Sequence, residues 1–407
     1  MRPSLPAPGE RSALLLLAAV YFVNLLDFMM VMPLGPDLGS ALGIPMSQLG
    51  IVGGSYTASA CVIGFLGSFL LDRFDRRAAL CWSVAGLGSA TMAAALARGP
   101  AGLILARVAA GAFGGVAGTL CFSILADLVP ESRRGRATAL VSSGFSASSI
   151  LGVPAGLELA RWGGWRAPFL VVGGLALLLA LAARLILPSL RGHMGPGADA
   201  APLPFDRRVA FSFAAFGLAI LGNFLLVPNL SAFLMFNRGV SREGLGLLYL
   251  TGGLTSLATM RLAGIWTDRR GALEPVAAGT LILIAVLYGG AILSPPILAP
   301  ALFFAGFMGG SAMRWVAVSA LASRVPPPSA RARYLSAQNA FAHASSAVAA
   351  FASTHALGAD PSGRLTGIPA LAMVTLALGL GVPFMVWRLE KCVGGPARGP
   401  VILAGEA

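Results

Sequence analysis

Ser68-Phe-Leu-Leu-Asp72-Arg73-Phe-Asp75-Arg76-Arg77 follows an almost uncharged run, Leu49 to Leu71, and sets five charged side chains nearly side by side. Such a cluster marks the point where a membrane helix leaves the bilayer, because a charge carried to mid-bilayer costs at least ~2.5 kcal/mol. A related cluster, Gly264-Ile-Trp-Thr-Asp268-Arg269-Arg270-Gly271, ends another apolar run, and Asp268-Arg269 falls on Asp72-Arg73 at a shift of 196 residues. The pattern predicts a chain built twice.

Composition sets the class. With 57% hydrophobic and 11% charged residues and a mean hydropathy of +0.81, the 407 residues suit a polytopic membrane protein rather than a domain with an ordinary polar surface. The net charge of +13 would suggest nucleic acid in a soluble protein, but here the basic residues occupy short connections between apolar runs, so no nucleic-acid partner is expected. Cys61, Cys81, Cys121 and Cys392 are scattered, without metal spacing or a disulfide framework. Neither a metal nor a cofactor is expected.

A helix needs about 20 apolar residues to cross the hydrocarbon core. On that ruler the first half divides into runs Ser12 to Leu34, Ser47 to Leu71, Ala78 to Ala97, Ala101 to Asp127, Ala137 to Leu157 and Ala167 to Leu187. The second holds Val209 to Leu230, Gly244 to Thr267, Pro275 to Leu293, Ile297 to Ala322, Tyr334 to Leu357 and Thr366 to Trp387. The N-terminal run resembles a signal peptide but stays apolar to Pro33, and is expected to be retained as the first span. The two ends and the connections after runs two, four, six, eight and ten carry most of the 29 Lys and Arg, which predicts that both termini are cytoplasmic. Pro188 to Asp206, rich in Pro, Gly and Ala, reads as a linker. The expected organisation is a bundle over 1–187, a cytoplasmic linker over 188–206, a second bundle over 207–390 and a cytoplasmic tail over 391–407. The same shift aligns Asp27-Phe28 with Asn223-Phe224, Val31 with Val227, Gly43 with Gly239, Leu49-Gly50 with Leu245-Gly246, and Val129-Pro130 with Val325-Pro326. Two parallel halves place a substrate site between them near the midplane.

Twelve helices in two repeated halves, with a charged turn between helices two and three repeated between eight and nine, resemble the major facilitator superfamily over essentially the whole chain. Its loop signature, Gly-x-Leu-Ala-Asp-Arg-x-Gly-Arg-Arg, is matched at Asp72, Arg73, Arg76 and Arg77 and departs at Ser68 and Asp75. The second copy keeps Gly264, Asp268, Arg269 and Gly271. Leu103-Ile-Leu-Ala-Arg107-Val-Ala-Ala-Gly111 looks like the buried-arginine motif of proton-coupled members, with Ala110 in place of its glutamine. Gly152-Val-Pro154-Ala-Gly156 is loosely similar to the helix-five motif of the antiporter branch, whose spacing would need glycine at Val153 and Leu157. Asp27-Phe-Met-Met-Val-Met-Pro33 looks most like the twelve-helix drug and sugar efflux permeases. The resemblance implies an all-α membrane transporter of two six-helix bundles, working as a monomer, with a small-molecule substrate, protons and the lipid bilayer as partners. A single Lys among the basic residues, with abundant Ala and Gly, points to a GC-rich bacterial genome and so to the bacterial inner membrane.

Asp27 is the one carboxylate well inside an apolar run, and buried ionisable groups in membranes are mostly functional. At ~1.5 Å rise per residue, Asp27 and Arg107 lie at similar depth below the outer ends of their helices, which makes Arg107 its natural partner for proton coupling. The bland alternatives are an Asp that merely hydrogen-bonds a neighbouring helix and an Arg that clamps carbonyls. Asp72, Arg73, Arg76 and Asp127 are read as an inner gate by resemblance, whereas Arg133, Arg134 and Arg136 are read as topogenic. Arg261 is expected to snorkel or pair with Asp268, and Arg314 to line the inner vestibule. Asn24, Asn223, Tyr56 and His343 could offer cavity hydrogen bonds, with packing the default for each.

These residues predict export of a small, partly apolar organic compound in exchange for protons by alternating access. The alternative is proton-coupled or facilitated uptake of a sugar or other metabolite, against which the scarcity of polar residues argues. A membrane-embedded enzyme would need a nucleophile and base or metal ligands at helical spacing, and no HExxH, GxSxG or intramembrane Asp pair is present. A transporter-like sensor would show no substrate flux.

Overall fold

The computed structural model describes residues 8–70, 74–191, 206–326 and 331–393. Among them the chain forms twelve long helical rods. The first six are α1 (Pro8–Met30), α2 (Leu49–Leu70), α3 (Arg76–Ala95), α4 (Pro100–Leu128), α5 (Glu131–Ala147, continued through Ser148–Gly152 into Val153–Gly163) and α6 (Arg166–Ile186). The second six are α7 (Arg207–Leu226, continued in short turns to Phe233–Asn237), α8 (Arg242–Arg270), α9 (Leu273–Leu287, continued through Tyr288–Ile292), α10 (Pro300–Ala322), α11 (Arg331–Ala356) and α12 (Ile368–Val393).

Ten rods are long and apolar enough to cross a membrane. The other two, α8 and α11, are 29 and 26 residues long but carry Thr251, Thr255 and Thr259, or Gln338, Asn339, His343, Ser345 and Ser346, and fall short on apolarity. Of the twelve expected spans, ten are helices long and apolar enough to cross a membrane, and the runs at α8 and α11 are long helices that fall short of it among the described residues.

Several helices outrun the apolar runs that announced them. α5 begins at Glu131, not Ala137, so the Arg-rich segment ahead of the apolar run is already helical. Hydropathy marks the membrane boundary, not the helix boundary. Within α5, Pro154 has no N–H to donate one turn back, and the ladder widens into a π turn over Ser148–Gly152 just ahead of it.

The halves repeat in detail. After α1 the chain turns through a short helix, Gly35–Leu42, to Gly43 at φ 69°; after α7 it turns to Gly239 at φ 68°. Both sites need the left-handed conformation that glycine adopts without cost, so the two glycines aligned by sequence are the same corner built twice. Phe28 and Phe224, equivalent by the same shift, stack across the halves with centroids 6.0 Å apart.

In the first six, α3 packs between α4 and α6, and α1 on α5; in the second, α10 packs on α8 and α9, and α7 on α12. The two sets meet mainly where α2 crosses α11 and where α5 crosses α8. Small residues make these crossings close: a Cβ on Gly50 would strike the Ala350 carbonyl, and one on Gly253 would meet the Ile150 backbone. Around the outside, Trp82, Leu185, Leu281, Leu302 and Leu380 stand exposed on the faces that meet lipid.

Pro8 and Val393 lie at one end of the rods, called the terminal end below. At the far end the halves are closed on each other. Arg242 at the start of α8 grips Asp37 of the short helix with contacts of 2.6–3.0 Å, and the two-residue strands Gly358–Ala359 and Leu365–Thr366 form a hairpin beside Met46–Gln48. At the terminal end, ties within each half include Glu10 with Arg133 at 3.0 Å, Arg76 with Asp127 at 2.6 Å, and Glu390 with the backbone N–H groups of Ala272 and Leu273.

Candidate functional site

Asp27 and Arg107 come together between α1 and α4. Arg107 Nη1 lies 3.0 Å from both carboxylate oxygens of Asp27, and Nη2 reaches the Asp27 carbonyl at 3.4 Å. The side chains are 0% and 1% exposed. Thr91 of α3 donates to Asp27 Oδ1 at 2.8 Å and shares that hydroxyl with the Leu87 carbonyl. The Tyr56 ring of α2 lies 4.6 Å from the guanidinium, close enough for cation–π attraction, and Arg107 Nε has no partner. Four helices thus meet on one charge pair. It is close because α4 is bare where α2 touches it: a Cβ on Gly111 would collide with the Tyr56 carbonyl.

A cavity of about 120 Å³ lies just beyond this pair on the terminal side. Tyr21, Asn24, Phe28, Tyr56, Thr119 and Phe122 of the first half face Ser336, Asn339 and His343 of α11 across it. Asn24 and Tyr56 belong to both structures. Tyr56 donates its hydroxyl to Asn24 Oδ1 at 3.3 Å, and Asn24 Nδ2 donates to the Gly114 carbonyl at 3.1 Å. Any shift of Asn24 or Tyr56 by an occupant of the cavity is therefore felt at the charge pair one residue layer away.

The remaining sequence candidates divide. Gly152 and Gly156 face α1, where a Cβ would meet Leu26 and Met30 respectively, and Pro154 sits in the first turn after the π segment. These residues set how α5 passes α1 rather than lining the cavity. Arg76 and Asp127 pair, while Arg77 donates to the Leu187 carbonyl at 3.4 Å. Asp72 and Arg73 lie outside the described residues. In the second copy of the turn, Asp268 and Arg269 are exposed and make no ion pair among the described residues, and a Cβ on Gly264 would meet open space. Glu390 caps α9 by accepting from the Ala272 and Leu273 N–H groups. Arg261 is exposed and has no carboxylate partner among the described residues.

Two residues expected at the cavity are elsewhere. Asn223 accepts from Ser311 at 3.2 Å inside the second half. Arg314 is 3% exposed and packs between Gly279 of α9 and Gly379 of α12, with Nε and Nη2 unpartnered. Neither lines the cavity, because depth along a helix does not fix which face a side chain takes.

Three polar groups escaped the sequence reading. Thr91 is a buried hydroxyl in an Ala/Gly-rich helix, with nothing local to mark it. The Asp37–Arg242 latch left a signal, since Arg242 is one of few cations on the sparsely basic face. Asp75, a departure from the loop signature, caps α3 by accepting from the Arg77 N–H at 2.9 Å and holds the segment after α6 through Ser189 Oγ at 2.5 Å and the Leu190 N–H at 3.0 Å. Partial burial disfavours its charge, but these three hydrogen bonds and the Arg77 charge prevail and bring its pKa down to about 2.

A model of the Major Facilitator Superfamily matches residues 17–350. A chloramphenicol resistance protein of Streptomyces lividans is 28% identical over 277 residues, 66% of this chain and 70% of that relative. Among solved structures, a bacterial homologue of the human lysosomal transporter Spinster, inward-facing and occupied, superposes with a TM-score of 0.73 at 18% identity over 95% of this chain and 98% of its own. A D-xylose–proton symporter gives a TM-score of 0.75 at 18% identity, over 93% of this chain and 97% of its own. At these identities the structural likeness speaks for the fold alone.

Proposed function

We propose that this chain, which belongs to the Major Facilitator Superfamily and is a multi-pass membrane transporter, exports a small, partly apolar organic compound in exchange for protons. The observation that carries this reading is the fully buried Asp27–Arg107 pair wired through Asn24 and Tyr56 to the wall of the cavity. A buried ion pair is weak evidence for stability, since desolvation offsets much of its attraction, so its place beside a cavity favours a working role. The second half offers Asn223 and Phe303 at the positions equivalent to Asp27 and Arg107, so proton handling falls to the first half. The relative named for chloramphenicol resistance supports export over uptake.

With the termini in the cytoplasm of a bacterial inner membrane, the closed far end is the outer face, and this is the inward-facing state of a monomer. The bodies 1–187 and 207–390, joined by the linker 188–206, rock about the α2–α11 and α5–α8 crossings. A substrate enters from the cytoplasm and presses on Asn24 and Tyr56. When the halves reopen outward, a proton from outside neutralises Asp27, ends its hold on Arg107 and lets α1 move against α4. Release of that proton inward after the return resets the cycle. Asp72, Arg73, Arg76 and Asp127 together belong to the inner gate that steadies the cytoplasmic ends when they close.

The test is growth of an efflux-deficient bacterial strain expressing wild type or Asp27→Asn at matched membrane levels, across lipophilic antibiotics and dyes. Protection by wild type that vanishes in Asp27→Asn is expected. Equal protection by both defeats the coupling role of Asp27, and protection by neither defeats export.

A further inference from the structure

The cavity's two walls differ in chemistry in a way that narrows what it can hold. The first half supplies rings: Tyr21 and Phe122 meet edge to face at 5.1 Å, and Phe28 and Tyr56 lie 5.2 Å apart. The second half supplies Ser336, Asn339 and His343, spaced three, four and seven residues apart and so on one face of α11. Among the described residues these three side chains make no hydrogen bond to the protein, whereas Asn24 on the opposite wall spends its amide on Gly114 and Tyr56. The α11 face is polar and unspent.

The described residues lining the cavity include no Asp, Glu, Lys or Arg. Asp27 and Arg107 lie behind the wall formed by Asn24 and Tyr56 and are not among its lining residues. Asp27 is saturated by Arg107 and Thr91, and Arg107 is roofed by the Tyr56 ring. A charged ligand entering here would lose its water without meeting an opposite charge, which disfavours it. An uncharged aromatic would lose little and gain ring contacts on one side and hydrogen bonds on the other.

We propose that the cavity selects uncharged aromatic compounds bearing hydrogen-bonding groups along one edge, the ring seated against Tyr21, Phe28 and Phe122 and the polar edge on Asn339 and His343. This deepens the export reading and rests on it. Exclusion of ions follows from the same wall: the proton site is kept out of the substrate's reach, so a cation cannot compete for Asp27 directly.

The test uses the full-length protein in proteoliposomes with three probes, each measured for flux and for equilibrium binding: chloramphenicol (uncharged), tetraphenylphosphonium (a fixed cation) and salicylate (an anion). Wild type is expected to bind chloramphenicol at least tenfold more tightly than either ion. A carboxylate placed on the unspent wall by Asn339→Asp, or on the facing wall by Thr119→Asp, is expected to raise tetraphenylphosphonium affinity at least tenfold, with folding checked by size exclusion. Ion binding by wild type within threefold of chloramphenicol overturns the inference and leaves export standing. Failure of both folded variants to gain cation binding overturns it as well. Absence of flux for every probe, with lipophilic panels equally inert, overturns the export reading itself.

Discussion

Replacing Asp27 by Asn keeps the shape of the side chain and its contact with Thr91 but removes the charge that faces Arg107. The guanidinium nitrogen lies 3.0 Å from both carboxylate oxygens. At an effective dielectric of ~20, the attraction at that separation is about 5 kcal/mol. With side chains no more than 1% exposed, water cannot replace the lost partner, and breaking one side of such a pair costs ~3–5 kcal/mol. Arg107→Gln should cost a similar amount, because it strands the carboxylate instead. The double variant removes both charges and should cost well under the sum, with a coupling of at least ~2 kcal/mol. Reversible unfolding in mixed micelles, with the four proteins compared in one titration series, gives the cycle directly. Additive single losses, or a loss below ~1 kcal/mol for Asp27→Asn, would refute the claim that the two side chains act as one buried unit.

The latch at the far end is exposed by about a quarter at each partner, so screening limits Arg242→Gln to about 1 kcal/mol, near a fivefold shift toward the outward-open state. Met32→Cys, placed behind the seal in a background without native cysteines, should then react faster with a membrane-impermeant thiol reagent from outside, and the charge swap Asp37→Arg with Arg242→Asp should slow it again. Gly50→Ala should shift the balance the same way, because its methyl strikes the Ala350 carbonyl only when α2 and α11 are closed on each other; unchanged labelling would contradict this. Asp75 is held at about 2, below the ordinary ~3.9, so its hydrogen bonds contribute fully above pH ~4 and are lost as pH falls toward 2. Thermal stability should therefore drop less between pH 5 and pH 3 in Asp75→Asn than in wild type.

Much of this was legible in the sequence because a bilayer leaves few choices. Apolar run lengths announced the rods, and the Gly43–Gly239 alignment proved to be one backbone corner used twice. Depth along a helix was readable too, and it brought Asp27 to Arg107. Rotation about the helix axis was not, since a uniformly apolar helix has no polar stripe to orient it. That is why Asn223 and Arg314 were expected at a cavity they do not line, and why Thr91 went unnoticed. Short polar ties between distant loops, such as Asp75 to Ser189 and Asp37 to Arg242, depend on tertiary approach and leave almost no local pattern.

Proton coupling through Asp27 is tested most directly by proton movement itself. Purified protein in proteoliposomes containing a pH-sensitive dye, loaded with chloramphenicol or whichever compound the growth panel identifies, should acidify the lumen as that compound leaves by way of wild type. Asp27→Asn should still exchange labelled for unlabelled compound while carrying no protons. Equal lumenal acidification by Asp27→Asn and wild type would contradict the account.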